Sequence, residues 1–347
     1  MMRHSSDQKR MVYGVSTSVL FDMTEPDEIF RTAGPEAYAK FMRERSDEPL
    51  PLGKGFKNLR RSFEADDFLE VVLCSRNSPL TARRAILTLL DQGITPGRSF
   101  FTSGKSPVPF LDAYGIRHFR TANYEDAVAA AKMGVFSTYH DLRGNRTVNN
   151  PEKRGAPKTK SNVLVLPGVQ KAPEDSLRLV YSETVIGHHI FDLDGVVFGT
   201  ESEDFFRRHG LKAYMNYEGA LRDKPMSKGP AFEILKYYND VNARFAGSKK
   251  PFELSLVTAR GYEATLRAME TLHTWGIDFS GSAHFLAGQD KGPVLAVMSE
   301  LAQDTSIEFY DDQTRNVEKG SQADILSGEV PTLLGEGEND PDGPKVA

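Results

Sequence analysis

The chain carries one pattern twice, and this repetition limits the folds open to it more than any other feature. The run Glu28-Ile29-Phe30-Arg31, Gly34-Pro35-Glu36-Ala37-Tyr38, Pro49 and Gly53 returns as Asp204-Phe205-Phe206-Arg207, Gly210-Leu211-Lys212-Ala213-Tyr214, Pro225 and Gly229, each 176 residues on. Farther along, residues 71–77 with Leu89 and Gly93-Ile94 match residues 254–260 with Leu272 and Gly276-Ile277 at a spacing of 183, which implies a seven-residue insertion. Residues 101–107 then pair with 286–293, and His118-Phe119-Arg120-Thr121-Ala122 pairs with Glu308-Phe309-Tyr310-Asp311-Asp312. Four blocks in one order mark a duplicated unit.

Within each copy, short apolar runs rich in β-formers alternate with helix-like segments. The runs cover residues 12–20 and 68–74 in the first copy, and 186–191, 252–257, 284–286 and 307–310 in the second. Such alternation predicts βαβ units and a parallel, doubly wound sheet. Leu266, Met269, Leu272 and Trp275, at three-residue steps, predict a helix with one face on that sheet. A length of 347 residues accommodates two moderate cores. The expected division is a first domain at 1–141, a basic linker at 142–173, a second domain at 174–327 with a cap insert at about 199–250, and a flexible Gly/Glu/Asp-rich tail from 328.

Composition removes several function classes. A net charge of −5, with 26% charged and 39% hydrophobic residues, describes a soluble globular chain and gives no reason to expect a nucleic-acid polymer as partner. Cys74 is the only cysteine, so no intramolecular disulfide forms; a reducing compartment fits, and its apolar surroundings place it in a core. No run approaches the length of a membrane span and the start lacks a signal-peptide apolar region, so the expectation is a cytoplasmic protein with no membrane partner. The cations Arg143, Arg146, Lys153, Arg154, Lys158, Lys160 and Lys171 read as a solvated linker, with polyanion contact as the alternative.

Reactive groups in a parallel sheet gather at the carboxyl ends of its strands. Asp192 and Asp194 follow the apolar residues Ile190 and Phe191 at such an end, and Gly195 lets the chain turn sharply. A plain Asp-Gly turn would look the same. Thr258 ends the run 252–257 and opens Thr-Ala-Arg, where its hydroxyl and the amide of Ala259 suit either a phosphate oxygen or a helix cap. Lys291 lies in the loop before a helix expected at 293–301. Asp311 and Asp312 follow the last run, and adjacent carboxylates there are unfavourable unless a cation offsets them.

The ordered set Asp192-x-Asp194, Thr258, Lys291 and Asp311-Asp312 resembles the four motifs of the haloacid-dehalogenase (HAD) superfamily. More narrowly, Val15 to Asp22, Ser75-Arg76-Asn77-Ser78-Pro79, Leu256 to Arg260, Phe285 to Gly288 with Lys291-Gly292-Pro293, and Phe309 to Gln313 resemble the cytosolic 5′-nucleotidase I family over residues 12–317. The resemblance implies an α/β fold of two HAD-like Rossmannoid halves with a small helical cap in the second. It also implies magnesium as cofactor and a nucleoside monophosphate as substrate. By the same resemblance Asp192 is the nucleophile and Asp194 the general acid, then base. Thr258, Ala259 and Lys291 hold phosphate, and magnesium is ligated by Asp192, the Asp194 carbonyl and Asp311, with Asp312 either ligating through water or orienting Lys291. A phosphatase of another small phosphomonoester, such as a sugar phosphate, and a nucleotide-binding sensor are the alternatives.

Read in register, the first half lacks the acids. Ser16 and Ser18 stand for Asp192 and Asp194, Thr121 and Ala122 for Asp311 and Asp312, while Ser75 and Lys105 match Thr258 and Lys291. This degenerate copy is either a scaffold or a regulatory anion site at Ser16, Ser75 and Lys105. The second reading suits the nucleotide effector that the resemblance implies; a homo-oligomer stays open. Phe206, Arg207 and Tyr214 have counterparts in the first half and read as structural. Arg208, Asn216 and Tyr217 lack identical counterparts and become the candidate substrate contacts. The strand position of His188 and His189 predicts packing.

Overall fold

A computed structural model describes residues 10–142 and 185–332, apart from 66, 96, 246–249 and 303–305. The first half runs β1 (Met11–Val15), α1 (Thr17–Leu20), α2 (Thr24–Glu44), α3 (Lys54–Glu64), β2 (Leu69–Ser75), α4 (Pro79–Asp91), β3 (Ser99–Phe101), β4 (His118–Thr121), α5 (Tyr124–Lys132) and β5 (Phe136–Tyr139). The second repeats it as β6 (Gly187–Phe191), α6 (Glu201–Ala220), α7 (Phe232–Asn242), β7 (Phe252–Thr258), α8 (Tyr262–Thr274), β8 (Ala283–Phe285), α9 (Gly292–Ala302), β9 (Ile307–Asp311), α10 (Thr314–Gln322) and β10 (Leu326–Glu329).

The ten strands of the described residues form one sheet in the order β3-β2-β1-β4-β5-β10-β9-β6-β7-β8. Neighbours within each half are parallel, whereas β5 meets β10 antiparallel, Tyr139 opposite Glu329. The halves therefore run in opposite directions, and the carboxyl ends of their strands emerge at opposite edges of the sheet. Burial on both faces explains why strands such as β2 read as continuous apolar runs. Val71 and Leu73 of β2 join the core with α3 and α4, while Val72 and Cys74 face the core that holds α5.

The halves share a core across the seam. Tyr237 of α7 donates to the carbonyl of Phe68 at 2.6 Å, and Tyr238 bonds through its hydroxyl to Tyr13. In return α3 reaches the second half, with Lys54 Nζ donating to Ser321 O at 2.8 Å and Arg61 Nη1 to Val185 O at 2.7 Å. Both α2 and α6 break at the same repeat position, where Gly34 and Gly210 take φ of 84° and 74°. Glycine adopts this left-handed conformation without the steric cost a side chain would bring.

Four expectations change. The run 12–20 is a strand that stops at Val15, after which the chain turns at Ser16 into a short helix, as the second half turns at Asp192. The cap insert shrinks from 199–250 to α6 and the turn after it, because Phe232, Ile234, Leu235, Tyr238 and Val241 commit α7 to the sheet. The second domain does not end at 327, since β10 continues to Glu329 and Val330 is 1% exposed. Phe101 matches Phe285 and not Leu286, as Ser103-Gly104 and Ala287-Gly288 share positive φ values 184 residues apart. The basic segment from Arg143 to Lys171 and the tail beyond 332 lie outside the described residues.

Candidate active site

The acids meet because their strands are neighbours. β6 lies between β7 and β9, with Phe191 opposite both Leu256 and Tyr310, so Asp192, Thr258 and Asp311 emerge side by side. Asp192 N donates to Tyr310 O at 2.9 Å, fixing the first residue of the turn. Gly195 in that turn has φ 71°, and a Cβ there would lie 2.8 Å from the Asp312 Cγ. Conformation and close approach both require glycine.

Lys291, 2% exposed, enters this cluster just before α9. Its ammonium lies 2.8 Å from Asp192 Oδ1 and 2.6 Å from Asp311 Oδ2. Asp311 Oδ1 accepts from Gln313 N at 2.9 Å and Asn316 Nδ2 at 3.1 Å. Carboxylate oxygens of Asp192, Asp311 and Asp312 lie within 4.8 Å of one another. Asp312 Oδ1 is buried without a hydrogen-bond partner among the described residues.

The electrostatics follow from this crowding. Burial pushes the Asp192 carboxyl up to about 7, against the pull of Lys291 and with Asp311 adding to the rise. Burial also holds Asp312 well above the carboxylate range, helped by Asp311, Glu203 and Asp192. For Lys291 burial opposes the charge, yet Asp192 and Asp311 outweigh it and keep the ammonium above its ordinary value. The carboxylates exceed the positive charge beside them, and an unpartnered buried oxygen joins a set of hard oxygen donors. That combination fits a divalent cation such as magnesium.

Thr258 is 1% exposed at the end of β7, and its Oγ1 accepts from Arg260 N at 3.4 Å. Exposed Ala259 follows, and its carbonyl accepts from Gly288 N at 2.8 Å, tying the β7 loop to the loop after β8. Asp194 points to Arg260, whose Nε and Nη2 donate to its two oxygens at 2.8 and 2.5 Å. Arg260, buried and missed by motif reading, is the strongest addition to the site. A signal existed, because the repeat places Asn77 where Arg260 stands.

The structure does not bring the candidate substrate contacts to the acids. Arg208 and Asn216 lie on the exposed surface of α6, and Tyr217 stacks on Phe205 with ring centroids 4.1 Å apart. α6 instead turns Glu203 and Arg207 toward the cleft. Gln313 Nε2 donates to Glu203 Oε1 at 3.3 Å, and burial raises the Glu203 carboxyl. His188 and His189 are packed in the core, as expected.

A cavity of about 630 Å³ opens at the corresponding place in the first half, lined by Ser16, Ser18, Ser75, Arg76 and Asn77 among others. Lys105 is not part of it. The loop after β3 is shorter than its counterpart, Thr102 Oγ1 bonds to the Lys105 carbonyl, and the lysine side chain stays exposed. The cations that do line the cavity are matched with carboxylates: Arg76 with Asp126 at 2.7 Å, Arg31 with Glu28 at 2.6 Å, and Lys54 with Asp324 at 3.3 Å. The anion site expected from Ser16, Ser75 and Lys105 is not assembled. Among the described residues no helix is long and apolar enough to cross a membrane.

Human (Homo sapiens) cytosolic 5′-nucleotidase 1B is 24% identical over 320 residues, which make up 88% of this chain and 46% of that protein. The chain thus spans about half the length of this curated relative. Among solved structures, the HAD domain of the effector protein Lem4 from Legionella pneumophila is a weak likeness, with TM-score 0.26 and 13% identity over 43% of this chain and 88% of that one. The family model described as 5′-nucleotidase matches residues 2–148 and 186–336, so both halves of the repeat are included. The chain belongs to the 5′-nucleotidase family.

Proposed function

We propose that the chain is a magnesium-dependent 5′-nucleotidase that hydrolyses nucleoside 5′-monophosphates to nucleoside and phosphate through an aspartyl-phosphate on Asp192. The observation that carries this reading is Lys291, buried between Asp192 and Asp311 where Asp312 adds a further carboxylate. Stability does not favour so many buried acids, whereas phosphoryl transfer uses them. Asp192, the Asp194 backbone carbonyl, Asp311 and Asp312 would hold magnesium, which when bound offsets charge on the transferring phosphoryl group.

An Asp192 oxygen attacks phosphorus while the bond to the ribose 5′-oxygen breaks, and Asp194 gives that oxygen a proton. Water then attacks phosphorus, its proton passes to Asp194, and Asp192 leaves as a carboxylate. Lys291, the Thr258 hydroxyl and the Ala259 amide bind the phosphoryl oxygens. Family membership supports the nucleotide substrate, and similarity to a human cytosolic 5′-nucleotidase supports a cytoplasmic setting. For the first half the pairing of Arg31, Lys54 and Arg76 favours the scaffold role.

The test is phosphate release from nucleoside monophosphates and sugar phosphates with magnesium, using Asp192→Asn as the blank. Nucleotides are expected to turn over fastest and the blank to be inactive. Faster turnover of every sugar phosphate would make the chain a phosphatase of another class.

A further inference from the structure

Asp194 ends a line of alternating buried charges. Arg260, its side chain 1% exposed, forks onto both Asp194 oxygens and uses its remaining nitrogen, Nη1, to reach Glu218 Oε2 at 2.8 Å and Ala264 O at 3.1 Å. Glu218 is fully buried on α6, and its Oε1 accepts from Ser202 Oγ at 2.6 Å and Arg267 Nη1 at 2.9 Å. Arg267 in turn donates through Nε to Lys224 O at 3.0 Å. Burying such ions is costly, and their stabilising value is uncertain even when they are well paired. Their presence calls for another reason.

The repeat supplies a control for what the fold itself needs. In register, Asp194, Arg260 and Glu218 become Ser18, Asn77 and Met42, whereas Arg267 remains arginine as Arg84. Arg84 stays 5% exposed and donates to Glu48 O at 2.8 Å, with Met42 Sδ 4.0 Å away. The copy without the acid has therefore lost the fork and its brace as well, yet keeps the helices they join. The arginine at 267 belongs to the fold; Arg260 and Glu218 go with Asp194.

We propose that Arg260, braced by Glu218, is a positioning residue for Asp194, fixing the direction from which that carboxyl exchanges its proton with the leaving oxygen and then with water. This deepens the reading above and rests on the acid-base role given there to Asp194. The fork holds the carboxylate plane, and each oxygen keeps a second lone pair for the proton. At 17% exposure the Asp194 side chain still reaches the cleft. The arrangement ties proton transfer to α6 through Glu218.

The experiment uses the full chain with magnesium and compares a nucleoside monophosphate, whose alkoxide leaving group needs a proton, with para-nitrophenyl phosphate, whose leaving group does not. The double variant Glu218→Met, Arg260→Asn installs the pair that the first half already accommodates. The ratio of kcat/KM for the nucleotide to kcat/KM for the aryl phosphate, which reports only the steps up to departure of the leaving group, is expected to fall about 100-fold, the usual size of general-acid assistance. The same change made in an Asp194→Asn background should move the ratio no further, because groups acting through one another are not additive. Equal loss of kcat/KM on both substrates, or a full further fall in the Asp194→Asn background, assigns the pair a structural role and overturns the proposal. If the double variant melts before assay, Glu218→Gln, which keeps the shape, must show a selective loss on the nucleotide. An unchanged ratio in Asp194→Asn alone overturns the acid-base reading first, and the proposal with it.

Discussion

Asp312 shows at a single residue how a poor choice for stability becomes a useful one for binding. Its side chain is half-buried, its enclosed Oδ1 lacks a partner among the described residues, and Asp311, Glu203 and Asp192 all raise its pKa beyond what burial does. Removing that charge should have opposite effects on two measurements. In EDTA the Asp312→Asn protein should melt at a higher temperature than the parent, since one of the crowded carboxylates is gone. With magnesium it should bind about 10- to 100-fold more weakly by titration calorimetry, the usual cost of removing a group that supports a metal site. Equal magnesium affinity would put Asp312 outside the cation's reach. The acids were legible in the sequence because each is marked locally, by an apolar run that stops and a turn that follows. Arg260 and Glu218 were not, because their partnerships join residues 66 and 42 positions apart and depend on burial.

Among the elements, α6 and α2 form a matched pair with different duties. Both break at a glycine of positive φ, and a Cβ at either Gly34 or Gly210 meets nothing nearby. Alanine at either site therefore costs only the strain of a positive φ combined with an extended ψ, about 1–3 kcal/mol. Gly34→Ala and Gly210→Ala should lower stability in urea by that similar amount. Only Gly210→Ala should also lower kcat, because straightening α6 moves Glu218 and with it the fork on Asp194. Equal effects on kcat would mean that α6 is indifferent to the reaction. The helix breaks were foreshadowed by the repeat of Gly34 and Gly210, and the parallel sheet by the alternation of strands and helices. β10 was hidden, because Leu326-Ser327-Gly328-Glu329 has tail-like composition and becomes a strand only through its neighbours β9 and β5.

For the whole molecule, the antiparallel seam both separates the clefts and joins the cores. Arg120 of β4 forms a bidentate contact with Glu308 of β9, at 3.0 Å for the shortest bond, with exposures of 0% and 2%. Losing one partner of such a pair costs about 3–5 kcal/mol, so the halves are expected to unfold together. The same seam buries neutral imidazole. His140 accepts from or donates to Thr138 Oγ1 at 3.1 Å according to its tautomer, lies 3.0 Å from Ser327 O, and is pushed down to about 4 by burial, with Arg120 adding to the fall. His118 and His189 are also lowered, chiefly by burial. A folded value below the unfolded one, near 6.5, means that the unfolded chain takes up the proton first as pH falls. Each such histidine therefore leaves stability intact above pH 7 and erodes it from about 6.5 downward, by up to about 1.4 kcal/mol per pH unit. Asp192, raised to about 7, acts in the opposite direction over this range, but it is common to parent and variant and cancels in their difference. His140→Gln should thus show a shallower fall in unfolding free energy between pH 6 and pH 4.5, by about one bound proton, when urea curves are compared across pH. Identical slopes would mean that His140 takes up its proton inside the folded seam.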